Sequence, residues 1–189
     1  MSTSELPPLP ANQKTYAGIP EAVFVDDVDS FMALDENENS ADKVLRRLDE
    51  QHGKYKLMEY NIGARRRKLK FQIPDLAKSL EMIDILRKQN EEKATKFLLS
   101  EQVFLNATVP PTKTVCLWLG ANVMLEYPLD EAEVLLKQNI ESAEENLNCL
   151  EHDQDFLRDQ LTTTEVNMAR VYNWDVKRRQ SAGLVSVKN

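Results

Sequence analysis

Two stretches of this chain repeat their apolar residues every seven positions, and that period permits little besides helices paired along a seam. In the first, Leu48, Tyr55, Ile62, Leu69, Leu76 and Ile83 follow one another at spacing seven, with Val44, Met58, Ile73, Leu80 and Leu86 at the intervening seam positions. In the second, Ile140, Leu147, Gln154, Leu161 and Met168 form one series, and Ala143, Leu150, Leu157, Thr164 and Val171 form the other. The first tract contains Gly53, Gly63 and Pro74, which weaken an isolated helix, and Pro74 predicts a local kink because it gives no N–H to the ladder. Such a helix persists only against a partner. Each tract can span about 50 residues, or ~75 Å at 1.5 Å per residue. The matched lengths predict an antiparallel pair with Ile83 near Ile140 and Leu48 near Val171 or Trp174.

Between the tracts the period changes from seven to the short apolar runs of strands. Phe97-Leu98-Leu99 and Gln102 to Val109 predict one hairpin turning at Ser100-Glu101. Val115 to Leu119 and Val123 to Tyr127 predict a second, turning at Gly120-Ala121-Asn122, with Pro110-Pro111-Thr112-Lys113 as the separator. A lone hairpin is marginal in water, and strands rich in Val, Leu, Trp and Met have edges to hide. Pairing with the same region of other chains is the economical solution.

The expected organisation is therefore mainly α: a helix over 39–94, β-hairpins over 96–127 and a helix over 129–179. Ser40 is the expected N-cap of the first helix, and Asp130 and Glu131 suit the dipole of the second. Residues 1–38 form an N-terminal extension, largely disordered. Within it, the more apolar 18–34 could dock on a neighbour, cover the chain's own helix or stay mobile. The tail 181–189 loses its periodicity and is expected to be disordered.

Composition excludes several function classes. The net charge is −7, which argues against a nucleic-acid grip, and only 5 glycines in 189 residues favour extended helix over a sandwich or open sheet. Neither a signal peptide nor a run of ~18–20 apolar residues for a membrane span is found. The 2 cysteines, Cys116 and Cys149, lack metal or redox spacing and fit reduced thiols, hence a cytoplasmic setting, with the nucleus as a second compartment. No phosphate-binding loop, dinucleotide fingerprint, zinc-protease helix or nucleophile elbow occurs. His52 and His152 read as ordinary helix residues, and Glu91-Glu92 and Glu144-Glu145 as solvating charges. The basic run Arg65-Arg66-Arg67-Lys68 fits a solvated helix face, with a phosphate or partner contact as the alternative. The sequence thus predicts no enzyme, no catalytic residues, no cofactor and no metal.

Longer motifs carry a resemblance. Thr114 to Tyr127 followed by Asp130-Glu131-Ala132 resembles the second hairpin and helix start of prefoldin α-class subunits. The run Asp155 to Gln160 and Thr163 to Val176 looks like the eukaryotic members, as do Gly18 to Val25 and Gln72-Ile73-Pro74; together they cover roughly residues 18 to 180. Two hairpins, rather than one, also fit the α class.

The resemblance implies a chaperone subunit in a heterohexamer of two α-class and four β-class subunits joined through their hairpins. It implies that helix tips hold non-native actin and tubulin chains and pass them to the cytosolic chaperonin without ATP, with no role for nucleic acid or membrane. On this chain the tip residues would be Val44, Leu45, Leu48, Val171, Tyr172, Trp174 and Val176, whose apolar groups would give weak contacts that sum across several tips. Zipping the helix ends together is the alternative role, above all for Leu48 and Val171. Assembly would fall to Phe104, Val115, Leu117, Leu119, Val123 and Leu125, some of them shared with the subunit's own hairpin core. A structural coiled-coil tether or adaptor remains the competing class.

Overall fold

The computed structural model describes Tyr16, residues 18–181 and Gly183. The expectations for residues 1–15 and for most of the tail lie outside the described residues. Element order is α1 (Val28–Met32), α2 (Ala41–Lys88), β1 (Lys93–Ser100), β2 (Val103–Val109), β3 (Thr114–Gly120), β4 (Val123–Pro128) and α3 (Leu129–Ser181). These residues sort into two compact units, one built from the chain up to Arg67 with the chain from Asn148 onward, the other from Lys68–Leu147.

In the first unit α2 and α3 pair antiparallel along the heptad seam. Leu48 shares a buried cluster with Val44, Ala41, Met32 and Val171, and further along Tyr55 meets Leu157 and Leu161. Polar pairs flank the seam in the same sense: His52 lies 3.0 Å from Glu165, and Arg66 reaches both Glu151 (2.6 Å) and Gln154. Partner numbers fall along α3 as they rise along α2, the signature of an antiparallel pair. Leu48 meets Val171 as the heptads predict. Ser40 caps α2, its carbonyl accepting from the Val44 N–H at 3.2 Å and its hydroxyl from the Lys43 N–H at 3.5 Å.

In the second unit the pairing is again antiparallel, with Ile83 buried against Leu129, Ala132 and Leu136. Ile140 is not its partner, so the pairing lies one to three turns nearer the start of α3 than matched helix lengths suggest. The reason is on the other helix: α2 stops at Lys88 rather than 94. Its last turn tightens, Gln89 N–H bonding the Leu86 carbonyl, while the Gln89 side chain donates to the Val109 carbonyl (2.7 Å). Lys93 is already paired with Val109 in the ladder, so cross-strand bonding takes over residues whose composition suits a helix. α2 continues through Pro74 without interruption.

The two β-hairpins are separate two-stranded antiparallel sheets built on one plan. Phe97 pairs with Leu105 and Leu98 with Phe104; twenty residues on, Leu117 pairs with Leu125 and Trp118 with Met124. Each has its register shift at the same place, leaving Leu99 and Leu119 as the extra residues beside the turn. Ala121 and Asn122 turn the second with φ of 48° and 61°, the left-handed pair that matches strand twist. The first turns at Glu101-Gln102, one residue later than Ser100-Glu101, with Gln102 at φ 65°.

Before α2 the structure takes one of the three alternatives left open for 18–34. Residues 18–38 are neither loose nor free: they cover the chain's own helices. Ile19 and Ala22 pack beside Tyr55 and Leu157, Val25 is buried, and Met32 fills the cluster at the helix ends.

Candidate functional site

Two surfaces are candidates for contact. On the hairpins, side chains that a self-contained domain would bury stand in solvent. Phe97, Leu98, Phe104 and Leu105 of the first hairpin are exposed, as are Trp118 (59% exposed), Met124 and Leu125 of the second. Because adjacent strand residues point to opposite faces, Phe97 with Leu105 and Leu98 with Phe104 make both faces of the first hairpin apolar. The second is asymmetric. Val115, Leu117 and Tyr127 pack on Ile83, Leu129, Ala132 and Leu136, so one face belongs to the subunit's own core and the other carries Trp118 and Met124. An apolar patch of this extent on both hairpins marks an interaction surface.

The electrostatics beside the second hairpin hold the start of α3. Arg87 bridges Asp130 (2.7 Å) and Glu133 (2.5 Å), and Lys137 binds Glu133 from one turn on (2.5 Å). The Lys137 hydrogen bond first, then that of Arg87, holds the Glu133 carboxyl below its ordinary range. The same contact with Glu133 raises the Arg87 guanidinium.

The second surface is the pair of helix ends in the other unit. Met32 plugs it from above. α1 is capped by Asp27, whose carboxylate accepts from the Ser30 hydroxyl (2.5 Å) and the Asp29 N–H (3.0 Å); the Ser30 bond above all holds that carboxyl below its usual range. Buried Asn37 fastens the plug, donating to the Phe31 carbonyl (2.6 Å) and accepting from Arg47 (2.8 Å). Trp174 donates through Nε1 to Asp29 (2.6 Å), with the Arg178 guanidinium over its ring. Among the described residues no cluster of His, Cys, Asp and Glu suits a metal ion, and no helix is long and apolar enough to cross a membrane.

The sequence that folds into these hairpins and heptad helices is similar to known proteins. The family model described as Prefoldin subunit matches residues 55–174. The chain belongs to the prefoldin family. It is similar to prefoldin subunit 3 of Drosophila melanogaster, at 70% identity over 182 residues (96% of this chain and 93% of the relative). It is also similar to prefoldin subunit 3 of Homo sapiens, at 58% over 170 residues (88% and 86%), and of Saccharomyces cerevisiae, at 36% over 182 residues (90% of each). Prefoldin subunits are chaperones that work within an assembly of such subunits.

Within this prefoldin chain the structure sorts the expected site residues. Of the six assembly candidates, Phe104, Leu119, Val123 and Leu125 are exposed, whereas Val115 and Leu117 face the internal cluster. Sequence reasoning left out Phe97, Leu98, Leu105, Trp118 and Met124, which are exposed on the same two hairpins. Of the seven tip candidates, Val44, Leu48 and Val171 are buried under Met32, so their place is in the chain's own core. Leu45, Trp174 and Val176 are half-buried, and Tyr172 is open at 61% exposure. Tyr172, Leu45 and Met168 line one shallow hollow between the helices. Of the basic run, Arg66 is engaged with α3, while Arg65, Arg67 and Lys68 lie on the solvated face.

Proposed function

We propose that this chain is one subunit of an ATP-independent heterohexameric chaperone with two α-class and four β-class members. In this reading it receives non-native actin and tubulin chains through its helix ends and delivers them to the cytosolic chaperonin, in the cytoplasm. The observation that carries the reading is the pair of hairpins with large apolar side chains left in solvent. A tether needs only helices; it has no use for two such hairpins. At the helix ends Tyr172, Leu45 and Met168 offer an apolar hollow, and several weak contacts of this kind sum when subunits are held together.

The test is the light-scattering mass of this chain co-expressed with five other subunits of the two classes, followed by capture of denatured actin. A defined hexamer that captures actin supports the reading. A chain that stays monomeric or homodimeric in that mixture returns the assignment to a coiled-coil tether.

A further inference from the structure

The hydrogen bonds that hold the segment from Ile19 to Asp26 on the helices run through its backbone. The Ala22 N–H donates to Gln160 Oε1 (2.8 Å) and the Val25 N–H to Asn167 Oδ1 (2.9 Å). Asn167 returns the contact, its Nδ2 donating to the Val23 carbonyl (2.8 Å). Tyr55 donates its hydroxyl to the Pro20 carbonyl (2.7 Å), and Arg170 donates to the Asp26 carbonyl (2.6 Å). All five bonds use groups that any polypeptide carries.

The geometry fits an extended chain. Ala22 and Val25 engage α3 residues seven apart, a span of ~10.5 Å at 1.5 Å per helical residue. Three strap residues cover it at ~3.5 Å each, the reach of a fully extended backbone. Inward side chains are modest and apolar (Ile19, Ala22, Val25), whereas Val23 projects outward, 80% exposed. Residues 27–39 are held differently, through the specific side chains of Asp27, Asp29, Met32 and Asn37. One half of the strap is a fitted plug, and the other is an extended peptide whose hydrogen bonds use backbone groups, with small apolar side chains inward and Phe24 under the Arg170 guanidinium (5.2 Å).

We propose that the seat formed by Tyr55, Gln160, Asn167 and Arg170 is a binding groove for an extended apolar segment of a non-native polypeptide. Residues 19–26 are its resident occupant, displaced by the client while α1 stays docked. This rests on the chaperone reading above and adds a site and a regulator to it: the chain's own strap sets the threshold a client must exceed.

The decisive measurement is hydrogen exchange in the intact hexamer with and without captured denatured actin. Amide exchange over 19–26 is expected to rise tenfold or more on capture, while that of residues 28–33 is unchanged. A labelled peptide of residues 18–27, added to a hexamer whose subunit starts at Asp27, is expected to bind in trans and to be displaced by denatured actin. Asn167→Leu removes two hydrogen bonds and should weaken that peptide about tenfold or more. Actin capture with unchanged exchange at 19–26, or a bound peptide that actin does not displace, overturns the groove alone. A hexamer that captures no actin overturns the chaperone reading, and this proposal with it.

Discussion

The helix ends and the hairpins treat their apolar residues in opposite ways. At the helix ends the chain brings a segment from outside the heptad helices, sets Met32 over Val44, Leu48 and Val171, and fastens it with Asn37 and Trp174. On the hairpins it leaves Phe97, Leu98, Phe104, Leu105, Trp118 and Met124 in water. Burial of such groups is worth roughly 1.5–3 kcal/mol each, so a stable fold does not leave a whole set uncovered without a partner. The first region is closed within one chain, and the second leaves its apolar side chains for a partner to cover.

Breaking the comparison at its open side should give the largest effect. Phe97→Ala with Leu105→Ala touches no internal cluster, so the isolated subunit should keep its helicity and thermal midpoint. If both residues are covered in the assembly, the pair costs about 3–6 kcal/mol, read as a hundredfold or greater loss of hexamer by mass. Unchanged assembly would show that this hairpin face meets nothing.

Breaking it at the closed side comes next. Met32→Ala removes a fully buried side chain and should destabilise the subunit by about 2–5 kcal/mol in denaturant unfolding. Leu34→Ala, close by but exposed, should stay within ~0.5 kcal/mol. Equal effects would mean that the plug adds no cohesion.

A smaller loss is expected at the polar edge of the seam. Arg66→Leu leaves Glu151 and Gln154 without the guanidinium that joins them, at about 1–3 kcal/mol. Thermal unfolding with Glu151→Leu as the second arm of a double-mutant cycle separates the pair from simple helix packing.

The smallest effect is a pH dependence at the start of α3. Lys137 and Arg87 lower the Glu133 carboxyl in the folded state, so its contribution is fully present above the ordinary glutamate value and fades as pH falls through the lowered folded one. Wild-type stability should therefore drop slightly more than that of Glu133→Gln on acidification, by urea unfolding across the acid range. Parallel curves would show that these solvated pairs add nothing.

Legibility followed the same division. The heptad positions, the Ser40 cap and both hairpins could be read because a period of seven, a capping hydroxyl and a change to short apolar runs are local signals. The end of α2 could not: nothing in Gln89 to Glu92 announces that Lys93 will pair with Val109, since the bond that decides it comes from a strand sixteen residues on. The place of the strap stayed open among three alternatives for a related reason. Its inward residues Ile19, Ala22 and Val25 recur every third position, a period of neither helix nor half-buried strand, and its anchors Gln160 and Asn167 look like surface amides on a heptad helix. The faint signal is on α3, where Gln160, Thr164, Asn167 and Asp175 are all buried polar residues near the seam. Buried amides need partners, and here a backbone supplies them.

By itself the sequence determined two antiparallel heptad helices, the tandem hairpins between them and the family to which they belong, because those depend on periods that a residue shares with its neighbours in the chain. Which hairpin face is internal, which tip residues are core and where residues 18–38 lie were decided only by tertiary structure. Each depends on a group distant in sequence removing a side chain from water or completing a hydrogen bond, and neither event leaves a periodic trace.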